Sequence, residues 1–202
     1  MRVHGHPGRH GVICGRSAAL YDRLLASWVH RRFYGAVTSE LGSALPGGAS
    51  VLDVGTGPGR RLLLELAQGR SDLRLVGVDP SEDMIRRGRD HARTAGLEDR
   101  IEFETVPAES LPFAAGTFDL VLSTLSAHHW ADPTAAINEQ VRVLRLGGQL
   151  RIYDLRREGL EALTPVVASA MGGTVQHRGR LAGIMGSRIG CLTAVKRAAE
   201  NS

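Results

Sequence analysis

The sequence predicts an α/β fold in which helices cover both faces of a mainly parallel, seven-stranded sheet. Short β-like apolar runs alternate with longer segments of helical periodicity, as expected where each parallel strand is followed by a helical crossover. Only a short glycine-containing link around Gly186 separates the last two runs. This spacing predicts that the two C-terminal strands form an antiparallel hairpin.

Seven segments have the length and apolar character of strands. They cover residues 50–54, 74–78, 101–105, 118–123, 149–154, 174–180 and 189–196. Capping residues mark three helix starts: Ser81 before a helix over 82–95, Asp132 before one that opens at Pro133 and ends before Gly147, and Thr164 before a shorter one that opens at Pro165. A further helical stretch over 61–68 follows the first strand, and 18–45 is amphipathic.

One domain of ordinary size accounts for the chain. Its 202 residues, 43% of them hydrophobic and 23% charged, are enough to bury a core. We expect residues 1–15 to be a disordered tail and 16–202 to form the single domain, with 16–48 as an N-terminal helical cap. No apolar run approaches the roughly 20 residues of a membrane span, and the N-terminus lacks the apolar core of a secretory signal. A cytoplasmic protein is therefore predicted.

Charge and cysteine usage favour no special partner. The net charge is +4, but arginines are interleaved with acidic residues, which is typical of a solvated surface rather than of a nucleic-acid-binding face. Cys14 and Cys191 have no metal-ligand spacing, so neither a disulfide nor a metal site is predicted.

The segment 51–59 carries the main functional signal, because an apolar strand runs directly into a turn with glycine at positions 55, 57 and 59. Glycines at alternate positions allow positive φ and let a ligand approach the backbone closely. Asp53 lies two residues before the first glycine. Arg60 stands where a nicotinamide-binding fingerprint has its third glycine, which disfavours a dehydrogenase.

A second signal is the acidic residue that ends the next strand. Asp79 follows the apolar run 75–78, and at this edge of the sheet a carboxylate can accept hydrogen bonds from both ribose hydroxyls of a bound nucleoside. The alternative is that Asp79 only caps the following helix.

Together these segments resemble the class I S-adenosylmethionine-dependent methyltransferases, and within them small-molecule enzymes similar to the ubiquinone/menaquinone biosynthesis C-methyltransferases. The matching stretches are 51–59, 76–84, 108–113 with 118–123, 126–130 and 144–152. The resemblance implies a Rossmann-like three-layer sandwich, S-adenosyl-L-methionine as methyl donor with S-adenosyl-L-homocysteine as product, and a small-molecule acceptor methylated on O, N or C.

The resemblance also implies a role for each matching residue. Asp53 would order the glycine turn and hold the methionine ammonium, and Asp79 would hold the ribose. The remaining cofactor contacts would come from the turn (Gly55, Thr56, Gly57 and Gly59), the adenine pocket (Pro80, Met84 and the amide of Ala108) and Ser123 near the sulfonium. Pro107 replaces an aspartate common in relatives, so the adenine amine would need Glu109 or water.

Catalysis is the least determined step, since methyl transfer needs alignment more than a base. His128 and His129 follow the fourth strand, where either could remove a proton or only shape the pocket. Tyr21 and Trp28 could cover the cofactor, touch the acceptor or pack in the core.

The sequence leaves two alternatives to a small-molecule enzyme. The first is a catalytically inactive cofactor-binding protein used for regulation or assembly. The second, a nucleic-acid methyltransferase, is disfavoured because 123–126 lacks the Asn/Asp-Pro-Pro-Tyr/Phe motif. A monomer or a homodimer fits the sequence equally well.

Overall fold

The computed structural model describes residues 28–59, 61–154, 157–172, 175–178 and 189–197, which form one seven-stranded sheet of order β3-β2-β1-β4-β5-β7-β6. The strands are β1 Ser50–Val54, β2 Arg74–Asp79, β3 Ile101–Thr105, β4 Phe118–Thr124, β5 Leu144–Asp154, β6 Val175–Arg178 and β7 Gly190–Val195. Strands β1 to β5 pair in parallel, whereas β7 is antiparallel to both β5 and β6. The predicted α/β class and the antiparallel C-terminal pair are confirmed.

Five α-helices and one short 3-10 helix connect the described strands. They are α1 Trp28–Ala44, α2 Leu62–Gly69, α3 Glu82–Thr94, the 3-10 helix Ala127–His129, α4 Pro133–Val143 and α5 Arg157–Met171. Helices α1 to α3 share one buried cluster with the sheet, which includes Phe33, Leu63 and Ile85. Helices α4 and α5 share the other cluster, which includes Ile137 and Val167. The sheet is therefore the middle of three layers.

Two predicted helix starts are confirmed by their caps. Ser81 Oγ accepts a hydrogen bond from Met84 N at 3.4 Å, and Asp132 Oδ1 accepts from Thr134 N at 2.9 Å and from Ala135 N at 3.0 Å. None of the helices in the described ranges is both long and apolar enough to cross a bilayer. The predicted tail 1–15 lies outside the described residues.

The predicted start of the last helix is wrong. Helix α5 begins at Arg157, not at Thr164, and Pro165 lies inside it. An interior proline removes one helical hydrogen bond and crowds the preceding turn. Leu160 and Val167 nevertheless lie on one helical face and are fully buried against the sheet. This apolar burial outweighs the local preference of proline for a helix start.

The boundary between α4 and β5 also differs from the prediction. The helix ends at Val143, and β5 begins at Leu144 rather than at residue 149. Gly147 N donates to Lys196 O at 2.8 Å, and Lys196 N donates to Gly148 O at 2.9 Å. Backbone pairing with the chain after β7 thus extends β5 through the two glycines that predicted a helix end.

Candidate active site

The glycine turn lies at the carboxyl ends of the central strands. Because β2 and β4 flank β1 on opposite sides, the strand order reverses beside this turn, where open α/β sheets bind ligands. Gly55, Gly57 and Gly59 all have positive φ, of 74°, 57° and 58°. Gly55 N and Thr56 N donate to Val78 O at 2.8 and 2.9 Å, so the turn bends over the end of β2.

Asp79 connects the glycine turn to helix α3. Its Oδ2 accepts from Gly57 N at 2.9 Å, and its Oδ1 accepts from Ser81 N at 2.9 Å. Burial raises the pKa of this carboxyl, and the two backbone amides oppose the shift. Asp79 therefore orders the backbone of the glycine turn and of the start of α3, and each of its oxygens keeps a further lone pair for a ligand.

Asp53 is a buried carboxylate with an unsatisfied oxygen. The residue is only 1% exposed, and its Oδ1 has no hydrogen-bond partner among the described residues. Burial raises the pKa of Asp53 to about 7; the Thr56 side chain opposes this shift, and the charge of Asp79 adds to it. A buried carboxyl of this kind suits a cationic ligand group, since a cation would restore the carboxylate and satisfy its oxygen. The predicted position of a methionine ammonium fits this observation.

If Asp53 meets the ammonium that the resemblance implies, cofactor affinity should depend on pH. A raised pKa means that a proton competes with a ligand ammonium for Asp53 below about 7. Affinity for S-adenosylhomocysteine should rise by up to about tenfold per pH unit as the pH approaches 7 from below, and then level off. Calorimetric titrations between about pH 5 and pH 8 measure this dependence. Asp53→Asn should bind weakly and independently of pH, and a flat wild-type profile would show that Asp53 does not meet a cation.

The predicted adenine-side residues follow β2 and β3, with Met84 in the first turn of α3. Met84 and Ala108 are buried, at 2% and 6% exposure, whereas Pro80 is exposed. Glu109 Oε1 accepts from Ala131 N at 2.9 Å and from Asp132 N at 3.2 Å. One oxygen of Glu109 thus holds the start of α4, and the adenine amine that the resemblance implies would have to use the other.

His128 is paired with a carboxylate that sequence reasoning did not select. Its Nδ1 lies 2.9 Å from Asp154 Oδ1, and its backbone N donates to Asp154 Oδ2 at 3.1 Å. Asp154 is only 3% exposed, whereas the His128 side chain is 31% exposed. Because a carboxylate accepts hydrogen bonds, the pair places the imidazole proton on Nδ1 and leaves a lone pair on Nε2.

His129 lies against His128 but has a different environment. The two ring centroids are 4.0 Å apart with the planes tilted by 45°. Burial and the neighbouring charge of His128 lower the pKa of His129, although Asp154 acts in the opposite sense. His128 alone is anchored by the carboxylate in a defined orientation, so it is the better placed of the two to accept a proton.

The remaining predicted residues are placed as follows. Ser123 is fully buried at the end of β4, next to the turn that leads to the histidines. Trp28 begins helix α1. Tyr21 and Arg60 lie outside the described residues.

Asp154 could have been found from the sequence, because it ends an apolar strand as Asp79 does. Its pairing with His128 depends on the parallel register of β4 and β5, which pairs Ser123 with Ile152 and Thr124 with Tyr153. This register brings the residues that follow β4 beside the end of β5.

The comparisons with known proteins agree with this geometry. The family model described as "Methyltransferase domain" matches residues 52–152, which is half of the chain. The 27-O-demethylrifamycin SV methyltransferase of Amycolatopsis mediterranei is 35% identical over 120 residues, 58% of this chain and 43% of that protein. The ubiquinone/menaquinone biosynthesis C-methyltransferase UbiE of Geobacter sp. (strain M21) is 32% identical over 135 residues, 67% of this chain and 57% of that protein.

The chain spans about half the length of these curated relatives. A crystal structure of a candidate S-adenosyl-L-methionine-dependent methyltransferase from Methanococcus maripaludis superposes with a TM-score of 0.81 at 18% identity, and the match covers 97% of this chain and 99% of that one. At this identity the likeness establishes the fold, which is the Rossmann-like three-layer arrangement predicted above. With the family model covering the glycine turn, Asp79 and the histidines, the chain belongs to the methyltransferase domain family.

Proposed function

We propose that the chain is an S-adenosylmethionine-dependent methyltransferase that acts on a small molecule. It would methylate an atom that loses a proton in the reaction, and a hydroxyl oxygen is the first candidate. The observation that carries this proposal is the His128–Asp154 pair at the same sheet edge as the glycine turn. The relative named for 27-O-demethylrifamycin SV supports an oxygen acceptor, and the UbiE relative supports a carbon acceptor as the second possibility.

Asp53 and Asp79, beside the glycine turn, fit this role. S-adenosylmethionine supplies, when bound, a methyl group on a positively charged sulfur that is already activated for displacement. Asp53 would hold the ammonium at its unsatisfied Oδ1. Asp79 would accept the ribose hydroxyls through the lone pairs that its two amide contacts leave free. These contacts align the donor, which is most of what an in-line transfer requires.

The acceptor side supplies the base. His128 Nε2 would take the proton of the acceptor hydroxyl as the oxygen bonds to the methyl carbon and the carbon–sulfur bond breaks, with S-adenosylhomocysteine as the leaving group. Asp154 would then stabilise the imidazolium through Nδ1, because its carboxylate already accepts from that nitrogen. The low exposure of Asp154 limits the access of water to its carboxylate and strengthens its interaction with a charged imidazole.

An acceptor screen tests the proposal. The purified chain is incubated with methyl-labelled S-adenosylmethionine and three acceptor classes: 27-O-demethylrifamycin SV, a demethylated quinol, and simple phenols. We expect label on the oxygen of at least one acceptor, with an equal amount of S-adenosylhomocysteine formed. Label on carbon alone would move the proposal to its second possibility. Tight cofactor binding without transfer to any class would replace the enzyme with the regulatory or assembly alternative.

A further inference from the structure

The turn after β4 contains a serine whose hydroxyl connects two strands. Ser126 Oγ donates to Val54 O, the last carbonyl of β1, at 2.9 Å, and lies 2.6 Å from Ser123 Oγ. A serine hydroxyl has one proton. Since Val54 O takes the proton of Ser126, Ser123 must donate to Ser126. The two hydroxyls therefore form a directed chain that ends on the strand that carries the glycine turn.

The hydroxyl of Ser126 does not cap the helix that Ser126 begins. It is the N-cap residue of the 3-10 helix Ala127–His129, but its side chain makes no capping hydrogen bond. Serine is favoured at N-caps because it can accept from the helix amides. Here the backbone of Ser126 begins the helix that carries His128, and its side chain binds the neighbouring strand instead.

Ser126 also packs directly on the glycine turn. A Cβ atom built on Gly55 would lie 2.3 Å from Ser126 Oγ and 2.4 Å from Ser126 Cβ. Neither distance is compatible with a real contact, so the absence of a side chain at Gly55 makes room for Ser126. The glycine is thus needed for the fit between the two turns as well as for its positive φ.

The preceding residue fixes the other side of the same turn. Leu125 has a φ of 56°, and it is the one non-glycine residue in the described ranges with positive φ. It is buried, and its N donates to Tyr153 O at 2.8 Å, one residue before Asp154. Such a backbone conformation persists where the surroundings determine it, often at active sites. The turn is therefore held to β5 by Leu125 and to β1 by Ser126.

We propose that Ser126 is a positioning residue that locks the histidine-bearing turn onto the glycine turn, so that cofactor affinity and the orientation of His128 depend on the same hydroxyl. The part that concerns His128 rests on the proposed methyl transfer. The part that concerns the glycine turn rests only on the proposed cofactor binding and is measured by binding alone.

The first experiment measures S-adenosylhomocysteine binding by calorimetry. Ser126→Ala removes the hydrogen bond to Val54 O and should weaken binding about five- to tenfold. Ser43→Ala is the matched control, because Ser43 lies exposed on α1 and donates only to Ser39 O and Glu40 O. Unchanged affinity in Ser126→Ala, with a melting temperature equal to that of the control, would overturn the proposal.

A rescue experiment tests the contact with the glycine turn. Gly55→Ala should weaken S-adenosylhomocysteine binding at least as much as Ser126→Ala does. The double variant Gly55→Ala/Ser126→Gly removes the side chain that the new methyl group would meet, and should bind more tightly than Gly55→Ala. If the double variant binds no better, the positive φ of residue 55 rather than its packing on Ser126 limits binding, and the part of the proposal that rests on this packing is wrong.

The connection to His128 is tested by comparing kcat of the single and double variants of Ser126 and His128, measured with the acceptor found in the screen. Ser126→Ala should lower kcat in the wild-type background and leave it unchanged in a His128→Ala background at saturating cofactor. Independent, multiplicative effects would show that Ser126 does not act through His128. If His128→Ala itself kept full turnover, the base assignment would fail while the binding results on Ser126 stood.

Discussion

Replacing His128 with alanine is expected to lower kcat by about 10²- to 10⁴-fold, the range typical of a general base. The affinity for S-adenosylhomocysteine should stay nearly unchanged, because the cofactor contacts are assigned to Asp53, Asp79 and the glycine turn. Asp154→Asn should lower kcat in the same way, since its loss removes the acceptor that sets the His128 tautomer. Steady-state kinetics with the identified acceptor measure both.

His129→Ala is the control for this prediction. His129 contacts His128 but is not anchored by hydrogen bonds to Asp154 as His128 is, so its loss should raise KM more than it lowers kcat. Near-normal turnover in both variants would mean that alignment alone drives the transfer and that neither histidine is an essential base.

Asp79→Ala should weaken S-adenosylhomocysteine binding roughly ten- to hundredfold, which corresponds to a loss of about 1.5–3 kcal/mol. The reason is twofold. The variant removes the acceptor for two ribose hydroxyls, and it leaves Gly57 N and Ser81 N without the carboxylate that orders them. Calorimetry against the wild type gives the difference directly.

Asp72→Ala is the matched control for Asp79→Ala. Asp72 is a carboxylate that also accepts from a backbone amide, Gly48 N, but it pairs with Arg70 before β2 begins. Its loss should lower the melting temperature without changing cofactor affinity. If Asp79→Ala also bound within about twofold of wild type, Asp79 would hold no ribose, and its ordering of the backbone would not affect binding.

The sheet was predictable because its signals are local. Apolar runs bounded by turn residues placed β1 and β3 with the observed bounds, and Ser81 and Asp132 marked real helix starts. The predictions failed where packing between residues far apart in the sequence sets the bounds of a helix. Helix α5 continues through Pro165 because Leu160 and Val167 are buried on the sheet, and this burial cannot be read from the proline itself.

The part of the candidate site that could be predicted consists of residues at or just after the ends of strands. Asp53, Asp79 and His128 all lie beside the carboxyl edge of the sheet, as their sequence positions after or within apolar runs indicated. Asp154 and Ser126 were missed because their roles depend on neighbours in other strands. Asp154 is 26 residues from His128, and Ser126 is 72 residues from Val54, whose carbonyl it binds.

A crystal structure with S-adenosylhomocysteine tests most directly the claim that this edge of the sheet is a cofactor site. We predict the ammonium of the ligand within hydrogen-bond distance of Asp53 Oδ1 and the ribose hydroxyls on Asp79, with the glycine turn beneath them. A ligand bound elsewhere, with Asp53 Oδ1 still unsatisfied and Asp79 contacting only Gly57 N and Ser81 N, would contradict it.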